Sequence, residues 1–142
     1  MTGALRDTLA AAAARILPSD DGPGAAETGV AEYVERALGE ERLAGWAPLF
    51  EHGLGRLDGI ARERFAQGFA ACPPEEQDAT LRALQELPEP PLRQFFSRLV
   101  TLCLEGFLGD PACGGNRDGL GWVWAGLPRM SGEDDCLGAT RT

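Results

Sequence analysis

Residues 92–107 read LRQFFSRLVTLCLEGF, and this stretch decides the fold class of the chain. Its apolar side chains recur three and four residues apart, which is the spacing of one face of an α-helix. They also cover more than one stripe of that helix: Leu92, Phe95, Phe96, Leu99, Val100, Leu102, Cys103, Leu104 and Phe107. A helix with so wide an apolar surface is predicted to lie at the centre of a core or to form part of an interface.

Four earlier segments show the same helical spacing, and prolines and turn formers separate them. Pro18 is predicted to end the first helix, Pro73 and Pro74 the third, and Pro88 the fourth. The third is expected to be the longest helix, with a break near Gly68. The apolar sets are Leu5, Leu9, Ala12, Ala13, Ile16 and Leu17; Val30, Tyr33, Val34, Ala37 and Leu38; a long set from Trp46 to Phe69; and Leu81, Leu84 and Leu87.

Strand signals are nearly absent, because no stretch alternates apolar and polar residues while being rich in Val, Ile and Thr. The sequence therefore predicts an all-α fold, an irregular helical bundle of about five helices with an ordered glycine-rich C-terminal loop. At 142 residues the chain has the size of one domain. We expect a single helical domain over residues 1–128 and a flexible acidic tail over residues 129–142.

The glycine-rich loop covers residues 109–121, which read GDPACGGNRDGLG. Each glycine costs a helix about 1 kcal/mol relative to alanine, so this segment is predicted to be non-helical. Trp122, Val123 and Trp124 follow directly, and such large side chains need a surface to cover them. The loop is therefore expected to be ordered and held by aromatic anchors.

Charge and hydropathy exclude several classes of function. The chain carries 22 acidic and 13 basic side chains, a formal net charge of −9, so a nucleic-acid backbone or an anionic membrane surface would be repelled. No run approaches the roughly 20 apolar residues of a membrane-spanning helix, so no direct membrane insertion is expected. The first residues show no export signal, and as written the chain is expected to be cytoplasmic.

No constellation of catalytic or metal-binding residues can be recognised. His52 is the one histidine, and no cysteine or second histidine stands at helical spacing from it. The glycine-containing segments lack the residues and the preceding strand of a phosphate-binding loop. We therefore assign no catalytic, cofactor-binding or metal-binding residue to this chain.

The four cysteines lack the close spacing of zinc or redox motifs, and we expect mostly free thiols. Cys103 lies in an apolar helical stripe and is predicted to be a small buried hydrophobic residue. Cys113 lies in the glycine-rich loop, where its side chain can be exposed. A disulfide bond within the chain or to a partner stays open, for Cys72 and Cys136 as for the other two.

Two segments together resemble the gluconate 2-dehydrogenase subunit 3 family. Residues 16–30 read ILPSDDGPGAAETGV, and residues 105–122 read EGFLGDPACGGNRDGLGW. The order and separation of these motifs match the family across roughly residues 5–128, and the second motif is the more specific one. The chain departs from the family in two ways: it lacks the twin-arginine signal of many relatives, and Cys113 stands where the family usually has an aromatic residue.

The resemblance implies a small, non-catalytic helical subunit bound to a large flavoprotein of the glucose-methanol-choline (GMC) oxidoreductase type, which holds FAD and oxidises a sugar or polyol. Relatives are often periplasmic, often act with a cytochrome c subunit, and are thought to assist folding or export of the large subunit. Without a twin-arginine signal, a cytoplasmic enzyme of two subunits fits this chain better.

The candidate partner-binding residues come from the second motif and its surroundings: Phe107, Asp110, Pro111, Asn116, Arg117, Trp122 and Trp124. The tryptophans have a second interpretation, in which they only pack the loop onto the domain's own core. The alternative function is a free-standing helical domain that binds or regulates another protein. Such a domain would be a soluble monomer, whereas an obligate subunit alone would expose an apolar patch.

Overall fold

The computed structural model describes residues 1–127, and the tail predicted for residues 129–142 lies outside them. Within the described part the fold is all-α, as predicted. The α-helices are α1 (Gly3–Ile16), α2 (Ala25–Thr28), α3 (Val30–Leu38), α4 (Ala47–Phe65), α5 (Pro74–Glu86), α6 (Pro90–Leu108) and α7 (Leu120–Ala125). Short 3-10 turns cover Glu41–Trp46, Phe69–Ala71, Pro111–Cys113 and Arg117–Gly119.

The five predicted helices are confirmed as α1, α3, α4, α5 and α6, and each buries the apolar face that its spacing indicated. Two short helices, α2 and α7, were not predicted. Helix α7 begins at Leu120, so the predicted loop over residues 109–121 ends two residues early and its aromatic anchors lie on a short helix. Because Trp122 and Trp124 contact α6, tertiary contact outweighs the low helix propensity of the neighbouring glycines.

The third predicted helix ends earlier than expected. Helix α4 stops at Phe65, where Ala66 takes a left-handed conformation with φ 61°. It therefore ends before Gly68 and well before Pro73, and Pro74 instead begins α5. The Asp58 carboxylate accepts a hydrogen bond from the Phe69 amide at 2.9 Å, which holds the following turn against α4. The fully buried Phe69 thus joins the core from a turn and not from the helix.

Helix α6 is the centre of the bundle and contacts each of the other six helices described. Its side chains Phe95, Leu99 and Leu102 are almost completely buried. The Phe95 ring meets the Phe50 ring of α4 edge to face, with 5.2 Å between ring centroids. No helix within residues 1–127 combines the length and hydropathy that crossing a membrane requires.

Two of the cysteines are buried free thiols, Cys72 and Cys103. Burial raises the pKa of Cys103 to about 12. Burial, and then the nearby Glu76 carboxylate, raises the pKa of Cys72. The sequence allowed an exposed side chain for Cys113, but the residue is buried because the loop folds against α6. Cys113 is also disulfide-bonded.

Gly53 on α4 should not tolerate alanine, since a Cβ atom there would overlap the Phe95 ring. We expect Gly53→Ala to lower the free energy of unfolding by about 1–3 kcal/mol, the usual cost of overpacking a core. Gly55→Ala is the matched control, because a Cβ atom at Gly55 meets nothing within 4 Å. The control should be stabilised by up to about 1 kcal/mol through helix propensity. Denaturant titration measures both changes, and equal stability of the two variants would contradict the packing.

Cys103 should resist alkylation in the native protein at mildly alkaline pH. Its raised pKa keeps the sulfur protonated there, and its burial blocks access. Peptide mapping after iodoacetamide treatment with and without denaturant provides the measurement. Modification of Cys103 only in denaturant is the expected outcome, and modification at equal rates in both conditions would contradict its position.

Candidate functional site

The side chain of Asn116 ties together the two ends of the glycine-rich loop. Its Nδ2 donates a hydrogen bond to the Gly109 carbonyl oxygen at 2.6 Å, and its Oδ1 accepts one from the Gly121 amide at 2.7 Å. The residue is completely buried and has a left-handed backbone with φ 45°. Gly109 caps the C-terminus of α6 and Gly121 lies in the first turn of α7. One amide group therefore fixes where α7 begins relative to where α6 ends.

Two glycines let the loop lie directly on the backbone of α6. A Cβ atom at Gly115 would overlap the Gly106 carbonyl, and one at Gly121 would overlap the Phe107 carbonyl. Any larger residue at either position would push the loop away from the helix and break the hydrogen bonds of Asn116. The glycines of the second motif thus serve close backbone approach.

Several amides of this loop donate hydrogen bonds within the protein. The Gly121 amide donates to Asn116 Oδ1, the Gly119 amide to the Asn116 carbonyl, and the Gly114 amide to the Pro111 carbonyl. In the first motif, the Gly24 amide donates to Glu27 Oε1 at 2.6 Å. A phosphate-binding loop instead turns its amides towards the ligand. These glycines therefore shape the backbone of the loops.

The two tryptophans of α7 have different environments. Trp122 is buried, and its Nε1 donates to the Leu108 carbonyl at 2.5 Å, so it packs the loop onto the domain's own core. Trp124 is 59% exposed, although its ring meets Phe107 edge to face with 5.8 Å between centroids. The two interpretations of the tryptophans thus apply to different residues. Only Trp124 presents its ring to solvent.

The first motif forms a capped turn ahead of α2. Glu27 Oε1 accepts hydrogen bonds from the Gly24 amide and, at 2.5 Å, from the Ser19 hydroxyl, and these bonds lower the pKa of Glu27. The Ala25 amide donates to the Leu17 carbonyl at 2.8 Å, which closes the turn. A Cβ atom at Gly24 would overlap that same carbonyl. The segment between α1 and α2 is therefore held in one shape.

The two motifs meet in space. Trp124 of the second motif's helix lies over Gly22 of the first, where an added Cβ atom would be 2.8 Å from the indole Cδ1. The Arg117 guanidinium lies over Gly29, which separates α2 from α3. Between the motifs is a cavity of about 220 Å³, which we call the tryptophan cleft. Its lining residues are Ile16, Leu17, Pro18, Asp20, Asp21, Pro23, Phe107 and Trp124.

A second cavity, of about 390 Å³, lies beside Asp110 and Cys113 and is also lined by Tyr33, Arg42 and Glu105. The Tyr33 hydroxyl donates to Glu105 Oε2 at 3.3 Å, and burial followed by the Glu105 charge raises the pKa of Tyr33. Asp110 accepts a hydrogen bond from the Ala112 amide at 2.9 Å and so caps its turn. This cavity presents charges of both signs.

The structure divides the predicted partner-binding residues into two groups. Phe107, Asn116 and Trp122 are buried, so they shape the surface from below. Asp110 and Pro111 are half-buried, whereas Arg117 and Trp124 are exposed. These last four lie at the surface, and their contact with a partner stays a prediction.

Sequence reasoning did not identify four further exposed apolar residues on α6, on α7 and just after α7: Leu104, Leu108, Val123 and Leu127. For Leu104 and Leu108 the available signal was the excess of apolar residues on α6. One buried face of a helix cannot accommodate so many apolar side chains, so some had to be exposed. Asp20 and Asp21 were likewise seen only as turn formers. Within residues 1–127 no group of three potential metal ligands comes together, and His52 is exposed on α4.

Asn116→Gly should unfold more easily than the parent protein. Glycine adopts the left-handed conformation without strain, so the variant isolates the loss of the side-chain hydrogen bonds. Leaving the Gly109 carbonyl and the Gly121 amide without partners should cost about 2 kcal/mol or more. Asp118→Gly is the matched control, because Asp118 has φ 58° but is exposed. The control should change stability by less than about 0.5 kcal/mol. Denaturant titration decides, and equal effects would argue against the bridging role of Asn116.

Comparison with known protein families finds a match that covers both motifs. The profile of the family described as gluconate 2-dehydrogenase subunit 3 matches residues 5–128, which include both motifs. Searches of curated proteins and of solved structures give no significant match. The matched region contains every described helix except the first two residues of α1. The chain therefore belongs to the gluconate 2-dehydrogenase subunit 3 family.

Proposed function

We propose that this chain is the non-catalytic small subunit of a heteromeric FAD-dependent sugar or polyol dehydrogenase, and that it binds and stabilises the large GMC-type flavoprotein subunit. Family membership identifies an accessory subunit of a dehydrogenase complex. The flavoprotein partner and the stabilising role are the further steps proposed here.

One observation carries this proposal: the exposed apolar side chains are concentrated in one region. Among residues 1–127 the large exposed hydrophobic residues are Met1, Leu104, Leu108, Val123, Trp124 and Leu127. All but Met1 lie in the C-terminal half of α6, in α7, or two residues after α7 at Leu127. We call these five residues the α6–α7 surface. A concentrated apolar surface on a small domain is typical of a protein-binding site.

The α6–α7 surface is attached to a rigid support. Asn116 fixes the loop, and Trp122 bonds the α6 backbone, so the exposed side chains have defined positions before any partner binds. A preorganised surface loses less conformational entropy on association than a flexible one. This property suits a subunit whose contribution is binding.

The division of labour follows from this arrangement. FAD would be held by the large subunit, where it accepts the electrons removed from the sugar alcohol. This chain would cover apolar surface of the large subunit that otherwise promotes aggregation, and so act as its chaperone. Where a cytochrome c subunit is present, we assign electron transfer to the flavoprotein and the cytochrome.

Co-purification tests the proposed function. The tagged chain is expressed together with the open reading frames adjacent to its own, and the eluate is examined for flavin absorbance, subunit masses and sugar oxidation with an artificial electron acceptor. We expect a yellow complex in which the flavoprotein is more soluble than when it is expressed alone. A colourless, stable monomer that captures no flavoprotein would instead support the free-standing helical domain.

Leu104→Ser with Val123→Ser should weaken this complex without unfolding the subunit. Both side chains are exposed, Leu104 by 43% and Val123 by 54%, so their loss removes apolar contact area at an interface and little from the core. We expect affinity for the flavoprotein to fall by about tenfold or more, measured by titration of the purified subunits.

Gln67→Ser with Ala70→Ser is the matched control. Both residues are exposed and lie near the turn between α4 and α5, away from α6 and α7. Circular dichroism and thermal unfolding should be the same for both double variants. Equal affinity of the two variants for the flavoprotein would exclude the α6–α7 surface as the binding site.

A further inference from the structure

The tryptophan cleft has the dimensions of a pocket for one side chain. Its volume of about 220 Å³ lies below the range of about 300–1,000 Å³ typical of small-molecule sites. It adjoins the α6–α7 surface, because Trp124 belongs to both. A cleft of this size at the edge of an apolar surface fits a single projecting residue of a docked protein.

The walls of the cleft are apolar, and its charge has a single sign. Ile16, Leu17, Pro18, Pro23, Phe107 and Trp124 supply the apolar lining, and Asp20 and Asp21 are the charged residues. Neither aspartate forms an ion pair within the described part of the chain. The charges of the cleft are therefore negative and uncompensated there.

Arg15, whose charge interacts with Asp20, is already paired with another carboxylate. Arg15 at the end of α1 is within electrostatic reach of Asp20. Its guanidinium is already engaged by both oxygens of Asp78, with Nε at 2.9 Å from Oδ1 and Nη2 at 3.2 Å from Oδ2. This bidentate ion pair with Asp78 already compensates the charge of Arg15. The cleft is thus left with acidic groups that favour a cation from outside.

Trp124 adds a second feature that favours a cation. Its indole ring is exposed, and among aromatic side chains the indole gives the strongest attraction to a cation over its face. The ring lies between Phe107 and Gly22, so its position is set before binding. Aromatic walls also suit the aliphatic stem of a long basic residue.

We infer that the tryptophan cleft receives one arginine or lysine side chain of the large flavoprotein subunit, with the stem against Trp124 and Phe107 and the cation beside Asp20 and Asp21. This inference rests on the proposed function, since it names the chemistry by which the partner is recognised. A second copy of this chain is a poorer occupant, because pairing two such faces brings their aspartates together on a chain of net charge −9.

Neutralising the aspartates tests the charge contribution. Asp20→Asn with Asp21→Asn keeps the shape of the cleft, and both residues are exposed, so the fold should be unaffected. We expect affinity for the large subunit to fall by about tenfold at low salt, with a smaller loss at high salt. Glu63→Gln with Glu86→Gln is the control, because it changes the net charge equally at exposed sites on α4 and α5. Equal losses in the two variants would overturn the inference.

Trp124→Leu tests whether the ring and the carboxylates bind the same group. Leucine keeps an apolar wall but removes the aromatic face. One basic residue that contacts both the ring and the carboxylates would couple their contributions. The fold-loss of affinity in the triple variant should then be clearly smaller than the product of the fold-losses in Trp124→Leu and in the double aspartate variant. Independent losses that multiply would overturn the idea of a shared occupant.

Photo-crosslinking identifies the occupant directly. Benzoylphenylalanine at position 124 is irradiated in the assembled complex, and the product is digested with a protease that does not cut at basic residues. We expect a crosslinked peptide of the large subunit with an arginine or lysine at the attachment site. A large-subunit peptide without a basic residue, a second copy of this chain, or residues 128–142 of the same chain would each overturn the inference.

The wild-type complex separates this inference from the proposed function. If the wild-type subunit binds no flavoprotein, the proposed function fails and the inference fails with it. If the complex forms and the aspartate variant binds as tightly as the wild type at low salt, the accessory-subunit role stands and the cleft inference alone is overturned.

Discussion

The hydrogen bonds of the Asn116 amide are the interaction on which the surface chemistry of this subunit depends. The fully buried side chain donates a hydrogen bond to the carbonyl oxygen of Gly109, the residue that caps α6. It accepts one from the Gly121 amide in the first turn of α7. Few residues can replace it. The position needs a left-handed backbone, which asparagine tolerates better than most residues, together with one donor and one acceptor on a short side chain. Aspartate lacks the donor and glycine lacks both groups. The spacing of glycines around Asn116 follows from the same constraint, because Gly115 and Gly121 must approach α6 closely for the two bonds to form.

Much of the fold could be predicted from the sequence, because helical spacing reports directly on which face of a helix is buried. Each long helix, including α3 with its five buried residues, was identified in this way. The failures have physical reasons. Helix α4 ends at Phe65, three residues before the predicted break at Gly68, because Ala66 takes a left-handed conformation for which alanine has no preference. Helix α7 is too short for its spacing to be distinguished from a loop, and it is stabilised by contact with α6.

The candidate site was predictable only in part. The second motif pointed to the correct region, but composition could not separate Trp122 from Trp124. They are two positions apart on a helix, so one ring is buried against α6 and the other contacts Phe107 but is largely exposed. The meeting of Gly22 with Trp124 joins residues about a hundred positions apart, and no periodic pattern carries such information. Asp20 and Asp21 acquire their significance only from that meeting, because elsewhere two aspartates before a glycine would simply favour a turn.

The buried residues that support the α6–α7 surface differ from the exposed residues that a partner would contact. Asn116, Trp122 and the close-packed glycines are buried, yet the positions of Val123 and Trp124 depend on them. A change in the buried set would therefore weaken partner binding together with the stability of the isolated subunit. A change in the exposed set would weaken binding alone, since an exposed side chain contributes little to the core. Comparing stability with affinity across both sets thus distinguishes a misplaced surface from a missing contact, and this distinction matters most for a subunit whose proposed contribution is the surface it presents.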